Sequence, residues 1–332
     1  MMTSKPILAC DIGGTRLKIG VVFGGRVLAK SIESANSRTG LAPLLPVLKA
    51  AWLRLLREQN LSSRDCAGVS VSFPSLLDAV TGKVLDEFGK YADARSIDWR
   101  SWAKSELNLP LAIENDARMA MIGEWQFGSG RGCDNLVSIT LGTGLGVCAV
   151  MEGRVVRGKH GQAGVLGGHI TVRYGGRECS CGNIGCAEAE ASTAALREVA
   201  MARPGFAASA LAREPLLDFA AVFKRAANGD SCAVQVRDHS LQVWSALAVS
   251  LIHAYDPELL LLGGGIMGSA GFILPVVQQY VSRHAHTPWG KVRVVASSLG
   301  DEAALVAGEW LLREQFPQAF APGDRKPPRR AP

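Results

Sequence analysis

The sequence predicts an α/β protein made of two related halves, and three observations carry that reading. At 332 residues the chain exceeds the size at which one hydrophobic core keeps growing, so two domains with a cleft between them are expected. A strand, Gly/Thr turn, strand and tight hairpin occur twice. Residues 7–29 read ILAC-DIGGT-RLKIGVV-FGG-RVLA, and residues 136–156 read LVSI-TLGTG-LGVCAV-MEG-RVV, so that Gly13 corresponds to Gly142 and Arg26 to Arg154. Glycine-rich turns also end three strands, at Gly13-Gly14-Thr15, Gly142-Thr143-Gly144 and Gly263-Gly264-Gly265.

The remaining elements follow in order. Leu/Trp periodicity predicts a helix near 41–58, and an apolar run predicts a strand at 67–73 that stops at Phe73-Pro74. Residues 86–100 read as an irregular loop. A strand at 110–113 leads into ENDARMAMIGEW, a helix carrying Met119, Met121 and Ile122. Residues 187–255 are Ala-rich with helical spacing. The run after Glu258, LLLLGGGI, is too apolar for an exposed strand and reads as a central buried one followed by a helix. A last strand at 291–296 passes through Leu299-Gly300-Asp301 to a final helix ending near Phe316.

Composition narrows the class. Hydrophobic residues at 48% and charged residues at 20% describe an ordinary soluble globular chain. Half of the net charge of +6 lies in residues 322–332, where Arg325, Lys326, Arg329 and Arg330 face only Asp324. Residues 317–332 are therefore expected to be an unfolded tail, and the rest carries no nucleic-acid footprint. The N-terminal apolar stretch, which meets Asp11 at once, reads as too short for a signal peptide, and no apolar run approaches the ~20 residues of a membrane span. These features predict a cytoplasmic protein with reduced cysteines.

The most informative feature is H-ITVRYGGRE-C-S-C-GNIG-C. It sets His169, Cys179, Cys181 and Cys186 within eighteen residues, while the other five of the eight cysteines lie scattered elsewhere. Three thiols and an imidazole fill all four positions of a tetrahedral Zn²⁺ ion, which makes the metal structural and leaves no place for an activated water. The glycine turns let backbone amides approach phosphate oxygens, and three of them at strand ends favour a nucleotide. Neither G-x-G-x-x-G nor G-x-x-x-x-G-K-[ST] is present. Asp11 either caps its own turn or holds Mg²⁺ against phosphates. Asp116 either caps the helix after Asn115 or is a base poised for phosphoryl transfer.

DIGGT at 11–15, ENDA at 114–117, LGTGLG at 141–146, GQAG with GGH at 161–169, CSCGNIGCAE at 179–188 and LLLGGG at 260–265 resemble the ROK family of repressors, open reading frames and sugar kinases. The resemblance runs from about residue 5 to 312. It implies a bilobal actin/hexokinase-like fold (duplicated, ribonuclease-H-like), with an interdomain cleft, a structural zinc loop over 169–186, and ATP and a hexose as ligands. The small domain would be 1–116 with the helix at 303–316, and the large domain 117–302. Asp11, Gly13, Gly14, Thr15, Gly142, Thr143 and Gly144 would hold phosphates and Mg²⁺, and Gly263, Gly264 and Gly265 would lie by the adenosine. Asp116 would be the base. Asn115, His169 and Glu188 would hold sugar hydroxyls, with His169 also on zinc. The implied activity is that of a glucokinase-like ATP-dependent sugar kinase, as a homodimer, acting on glucose at C6 or on another hexose such as an N-acetylhexosamine. A sugar-sensing repressor of the same family would need a DNA-binding module ahead of the sugar domain, for which Ile7 leaves no room. Family kinases commonly carry G-E-x-G-H, whereas this chain has Gly164-Val165-Leu166-Gly167-Gly168-His169. The sugar-binding carboxylate is absent at Val165 and at Leu166, which leaves the sugar open and makes a catalytically weak sugar binder an alternative.

Overall fold

The apolar run ILACDI forms strand β1 (Ile7–Ile12), buried on both faces, in a computed structural model that describes residues 5–78, 80–86 and 89–320. The chain divides into two units, residues 1–123 with 302–332 and residues 124–301.

In the first unit, β1 continues through the glycine turn into β2 (Arg16–Phe23) and β3 (Arg26–Ser34), joined by a tight turn in which Gly24 and Gly25 have positive φ. Helix α1 (Leu45–Glu58) packs Leu48, Trp52, Leu55 and Leu56 into the core, and Trp52 Nε1 donates to the carbonyl of Ala9 (3.0 Å). Strand β4 (Val69–Phe73) follows, then a hairpin of β5 (Leu76–Asp78) and β6 (Lys83–Asp86). Helix α2 (Trp99–Leu107), capped by Asp98, leads to β7 (Leu111–Asn115). The loop expected over 86–100 is thus ordered in its second half: a 3-10 turn occupies Ala94–Ser96 and α2 starts at Trp99. The sheet order is β3-β2-β1-β4-β7, with β1, β4 and β7 parallel.

Helix α3 (Asp116–Phe127) begins directly after β7 and passes from the first unit into the second. There β8 (Leu136–Leu141), β9 (Leu145–Met151) and β10 (Arg154–Val155) repeat the opening meander. The Ala-rich stretch is broken into α4 (Ala187–Ala191), α5 (Leu196–Met201), α6 (Phe219–Ala227) and α7 (Ser231–Tyr255). Strand β11 (Leu259–Gly263), helix α8 (Ala270–His284) and β12 (Arg293–Ala296) complete the unit. Its sheet order, β10-β9-β8-β11-β12, reproduces that of the first unit strand for strand. Buried Glu124 accepts from the amides of Ser129, Ser298 and Leu299 and from the Ser297 hydroxyl, which fixes the segment after β12 against the end of α3.

The chain then returns to the first unit as α9 (Ala303–Gln315), packed on β1, β2, β4 and β7. Residues 317–320 form a further 3-10 turn with Phe320 buried, which corrects the expected start of the tail; residues 321–332 lie outside the described residues. Among the described residues no helix is long and apolar enough to cross a membrane. A glycine allows the close seat of α9: a Cβ on Gly308 would stand 2.6 Å from Ser70 Cβ and 2.9 Å from Ile7 Cδ1. Gly308→Ala is expected to lower stability by about 1–3 kcal/mol despite alanine's better helix propensity. The denaturant midpoint checks this, and an unchanged midpoint would mean that α9 is not held by close contact.

Candidate active site

The parallel register of the first unit places polar residues together at the ends of three buried strands. Asp11 lies beside Ser72, and Ser72 beside Glu114. Asp11 Oδ1 accepts from Ser72 Oγ (2.7 Å), and Lys18 Nζ stands 3.5 Å from Oδ2. Of the two readings left open for Asp11, a cap of its own turn finds no hydrogen bond among the described residues. After β1 the Gly13 amide donates to Arg16 O (2.9 Å). The carbonyls of Gly13, Gly14 and Thr15 accept from Tyr91 Oη, Ser37 N and Ala35 N (2.6, 3.0 and 2.9 Å). Among the described residues the Gly14 and Thr15 amides have no acceptor, and two successive free N–H groups form a concavity suited to an anion.

Helix α3 is capped by Asn115, not Asp116. Asn115 Oδ1 accepts from the amide of Arg118 (3.2 Å), and its Nδ2 donates to Ser75 O and Asp116 Oδ1 (both 3.1 Å). Asn115 is buried and therefore orients its neighbour. Asp116 occupies the first helical position, with Oδ1 also accepting from Ala117 N (2.8 Å). Burial, and after it the charge of Asp11, push its carboxyl up to about 6, against the lowering effect of the Ala117 amide, Lys90 and Asn115. Beneath it the buried pair Glu114–Arg118 (3.3 Å) holds the first turn. The sequence signals missed here are the serines of the otherwise apolar V-S-V-S-F and the i,i+4 pair in E-N-D-A-R.

The second unit repeats the turn. The carbonyls of Gly142 and Thr143 accept from the amides of Thr193 and Ala194 (both 3.0 Å), which leaves the amides of Thr143 and Gly144 without an acceptor among the described residues. Because β8 and β11 pair in parallel, Gly263-Gly264-Gly265 lies beside this turn. A Cβ on Gly264 (φ +92) would overlap the carbonyl of Leu141, whereas one on Gly265 would meet nothing. Glu188 joins the turn to the cysteine loop: Oε2 accepts from Leu145 N (2.8 Å), and Oε1 lies 4.0 Å from His169 Nε2.

Spacing in the sequence becomes a compact cluster of four side chains that could hold a metal ion. Cys179 Sγ is 3.4 Å from His169 Nδ1, Cys181 Sγ is 3.7 Å from Cys186 Sγ, and all four donor atoms lie within 4.8 Å of one another. A tetrahedral ion with Zn–S of about 2.3 Å and Zn–N of about 2.0–2.1 Å sets S···S near 3.8 Å and S···N near 3.6 Å. Burial and the neighbouring thiols push the Cys186 thiol up to about 12, and a cation bound there would reverse that balance by stabilising the thiolates. Asn183 Nδ2 donates to His169 O and Thr171 Oγ1 (3.2 and 3.0 Å), and buried Glu190 accepts from Arg177 N (2.8 Å) and lies 3.4 Å from Arg173 Nη1. No acidic side chain occurs on the 3-10 turn Val165–His169. A Cβ on Gly167 would stand 2.5 Å from Val147 Cβ, and one on Gly168 would overlap Leu145 O, so this turn lies flat on β9 with Val165 and Leu166 half-buried.

Known proteins resemble this chain along nearly its whole length. The ROK family model matches residues 7–315. A glucokinase of Streptomyces coelicolor is 33% identical over 327 residues, 93% of this chain and 98% of that one. A glucokinase of Halalkalibacterium halodurans is 28% identical, covering 95% and 97%. The crystal structure of a ROK family glucokinase from Streptomyces griseus, in complex with glucose and AMPPNP, superposes with a TM-score of 0.76 at 28% identity, over 93% of this chain and 99% of that one.

Proposed function

We propose that this chain, which belongs to the ROK family and is a sugar phosphotransferase, transfers the γ-phosphoryl group of ATP to a hexose hydroxyl, with glucose C6 the first choice. The observation that carries the reading is Asp116, a carboxylate with a raised pKa, oriented by Asn115 at the start of α3. In this reading Asp116 takes the proton from the attacking hydroxyl. The free amides of Gly14, Thr15, Thr143 and Gly144 hold phosphate oxygens, and Gly263, Gly264 and Gly265 border the adenosine. The repulsion between Asp11 and Asp116 fits a site that takes a cation, and Asp11 would hold Mg²⁺, which supplies charge neutralisation on the phosphates. Positioning and electrostatics supply most of the catalysis in phosphoryl transfer.

His169 and Glu188 would meet sugar hydroxyls. His169 turns Nδ1 toward the cysteines and Nε2 toward Glu188, so a Zn²⁺ ion on His169, Cys179, Cys181 and Cys186 would orient the imidazole without taking part in the chemistry. The half-buried Val165 and Leu166 favour a second reading, a hexose with an apolar group such as an N-acyl methyl. A cytoplasmic homodimer remains part of the proposal.

Asp116→Asn preserves shape and removes basicity, so kcat is expected to fall by roughly 10²–10⁴-fold, with nucleotide affinity unchanged. Wild-type kcat/KM should rise with pH through an apparent pKa of about 6 and then level off, because the base must be ionised. Stability carries the opposite sign. A carboxyl whose pKa is raised by folding costs stability above that pKa and regains it as pH falls toward the unfolded value. Asp116→Asn should therefore melt higher than wild type at pH 8, with the gap closing from pH 6 to 4; near-normal kcat in the variant would exclude Asp116 as the base.

One zinc per chain is expected by elemental analysis of untagged protein, and chelation or Cys181→Ser should lower the melting temperature. Folded, active protein devoid of zinc would overturn the metal assignment.

A charge-assisted hydrogen bond to a sugar hydroxyl is worth about 1.5–3 kcal/mol, so without a carboxylate at Val165 or Leu166 the KM for glucose should stand roughly 10–150-fold above that of an enzyme that has one. Steady-state kinetics over glucose and N-acetylhexosamines test this. A glucose KM well below about 0.1 mM, tight on the general scale of enzymes, would show that the carboxylate is not missed.

A further inference from the structure

The two glycine turns differ in the kind of donor that holds their first carbonyl. In the second unit the carbonyl of the first glycine, Gly142, accepts from a backbone amide, that of Thr193 (3.0 Å). In the first unit the equivalent carbonyl, that of Gly13, accepts from a side chain, the hydroxyl of Tyr91 (2.6 Å). A trans peptide points its C=O and the following N–H in opposite directions, so holding the Gly13 carbonyl aims the Gly14 amide away from Tyr91. Likewise the Gly14 carbonyl, held by Ser37 N (3.0 Å), sets the direction of the Thr15 amide, and the carbonyl of that same Ser37 accepts from Tyr91 N (2.9 Å). Tyr91 thus supports both peptides whose amides lack an acceptor.

The residue is unusual in its own geometry. Tyr91 has φ +54, a region a bulky side chain occupies only at a cost of order 1–3 kcal/mol. Its ring is wholly buried and packs on Phe73 at 5.7 Å between centroids. Its carbonyl accepts from Ala94 N (2.8 Å), which closes the loop behind it. A tyrosine that only filled the core would need neither the left-handed backbone nor a polar end aimed at the turn.

We propose that Tyr91 is a positioning residue for the nucleotide, its hydroxyl supplying to the Gly13 turn the donor that the Thr193 amide supplies to the Gly142 turn. This rests on reading both turns as phosphate holders. Because the hydroxyl acts through the Gly14 amide, its effect falls on the nucleotide and not on the sugar.

The test is Tyr91→Phe, which deletes one oxygen and keeps the ring. Loss of a neutral hydrogen bond is worth about a 3–10-fold change in affinity, so the Kd of Mg-AMPPNP by calorimetry and the KM for Mg-ATP are each expected to rise about 3–10-fold, with the sugar KM within about two-fold of wild type. Phe73→Leu serves as the second variant, since it loosens the same packing and retains the hydroxyl. An AMPPNP Kd unchanged in Tyr91→Phe, or raised equally by Phe73→Leu at a matched drop in melting temperature, would overturn the proposal. If wild type binds AMPPNP, such a result sinks the role of Tyr91 alone; if wild type does not bind it, the phosphate reading of the turns falls and the proposal with it.

Discussion

The first unit depends on the parallel register of β1, β4 and β7, which brings Asp11, Ser72 and Glu114 side by side at the ends of largely apolar strands. Charge in such a place is costly unless partnered. Ser72 and Lys18 answer Asp11, and Arg118 answers Glu114. Asp116 is the member left least satisfied. Its pKa rises because burial and Asp11 outweigh the donors from Ala117 and Asn115, and that imbalance gives a carboxylate a proton affinity suited to a base near neutral pH.

In the second unit one carboxylate connects the parts. Glu188 sits against Gly144, takes the amide of Leu145 and faces His169, so the glycine turn and the cysteine loop share a partner. Glycine is what permits this spacing. A side chain at Gly144 would collide with Glu188, and one at Gly168 with the carbonyl of Leu145. Beneath the loop, buried Glu190 gathers Arg173, Arg177 and His239. The cysteine loop is therefore braced from the core side, and Glu188, two residues past Cys186, ties it to the glycine turn by accepting from the Leu145 amide.

The glycine turns, the meander strands and the clustering of His169, Cys179, Cys181 and Cys186 were legible because each is a local pattern: residue period, backbone freedom and residue spacing are properties of a short stretch of chain. Asn115 shows where such reading stops. Adjacent Asn and Asp at a strand end both suit a cap, and the choice was made by whether the Arg118 amide met Oδ1 of Asn115. The helix starting at Trp99 was missed although Trp99, Ala103 and Leu107 recur at helical spacing, because the segment is short and mostly polar and is held by packing of Trp99 against Phe73.

By itself, then, the sequence determined a duplicated α/β chain, its glycine turns, a Cys₃His donor set and the family resemblance, all carried by short-range chemistry. Only the tertiary structure decided which polar groups are answered and which are left open. Ser72 meets Asp11 across 61 residues, Tyr91 meets Gly13 across 78, and Glu124 meets Ser297 across 173. No local pattern announces partners so distant. They are chosen by sheet register and helix packing, which fix the positions of buried groups so closely that a hydrogen bond is either present or lost.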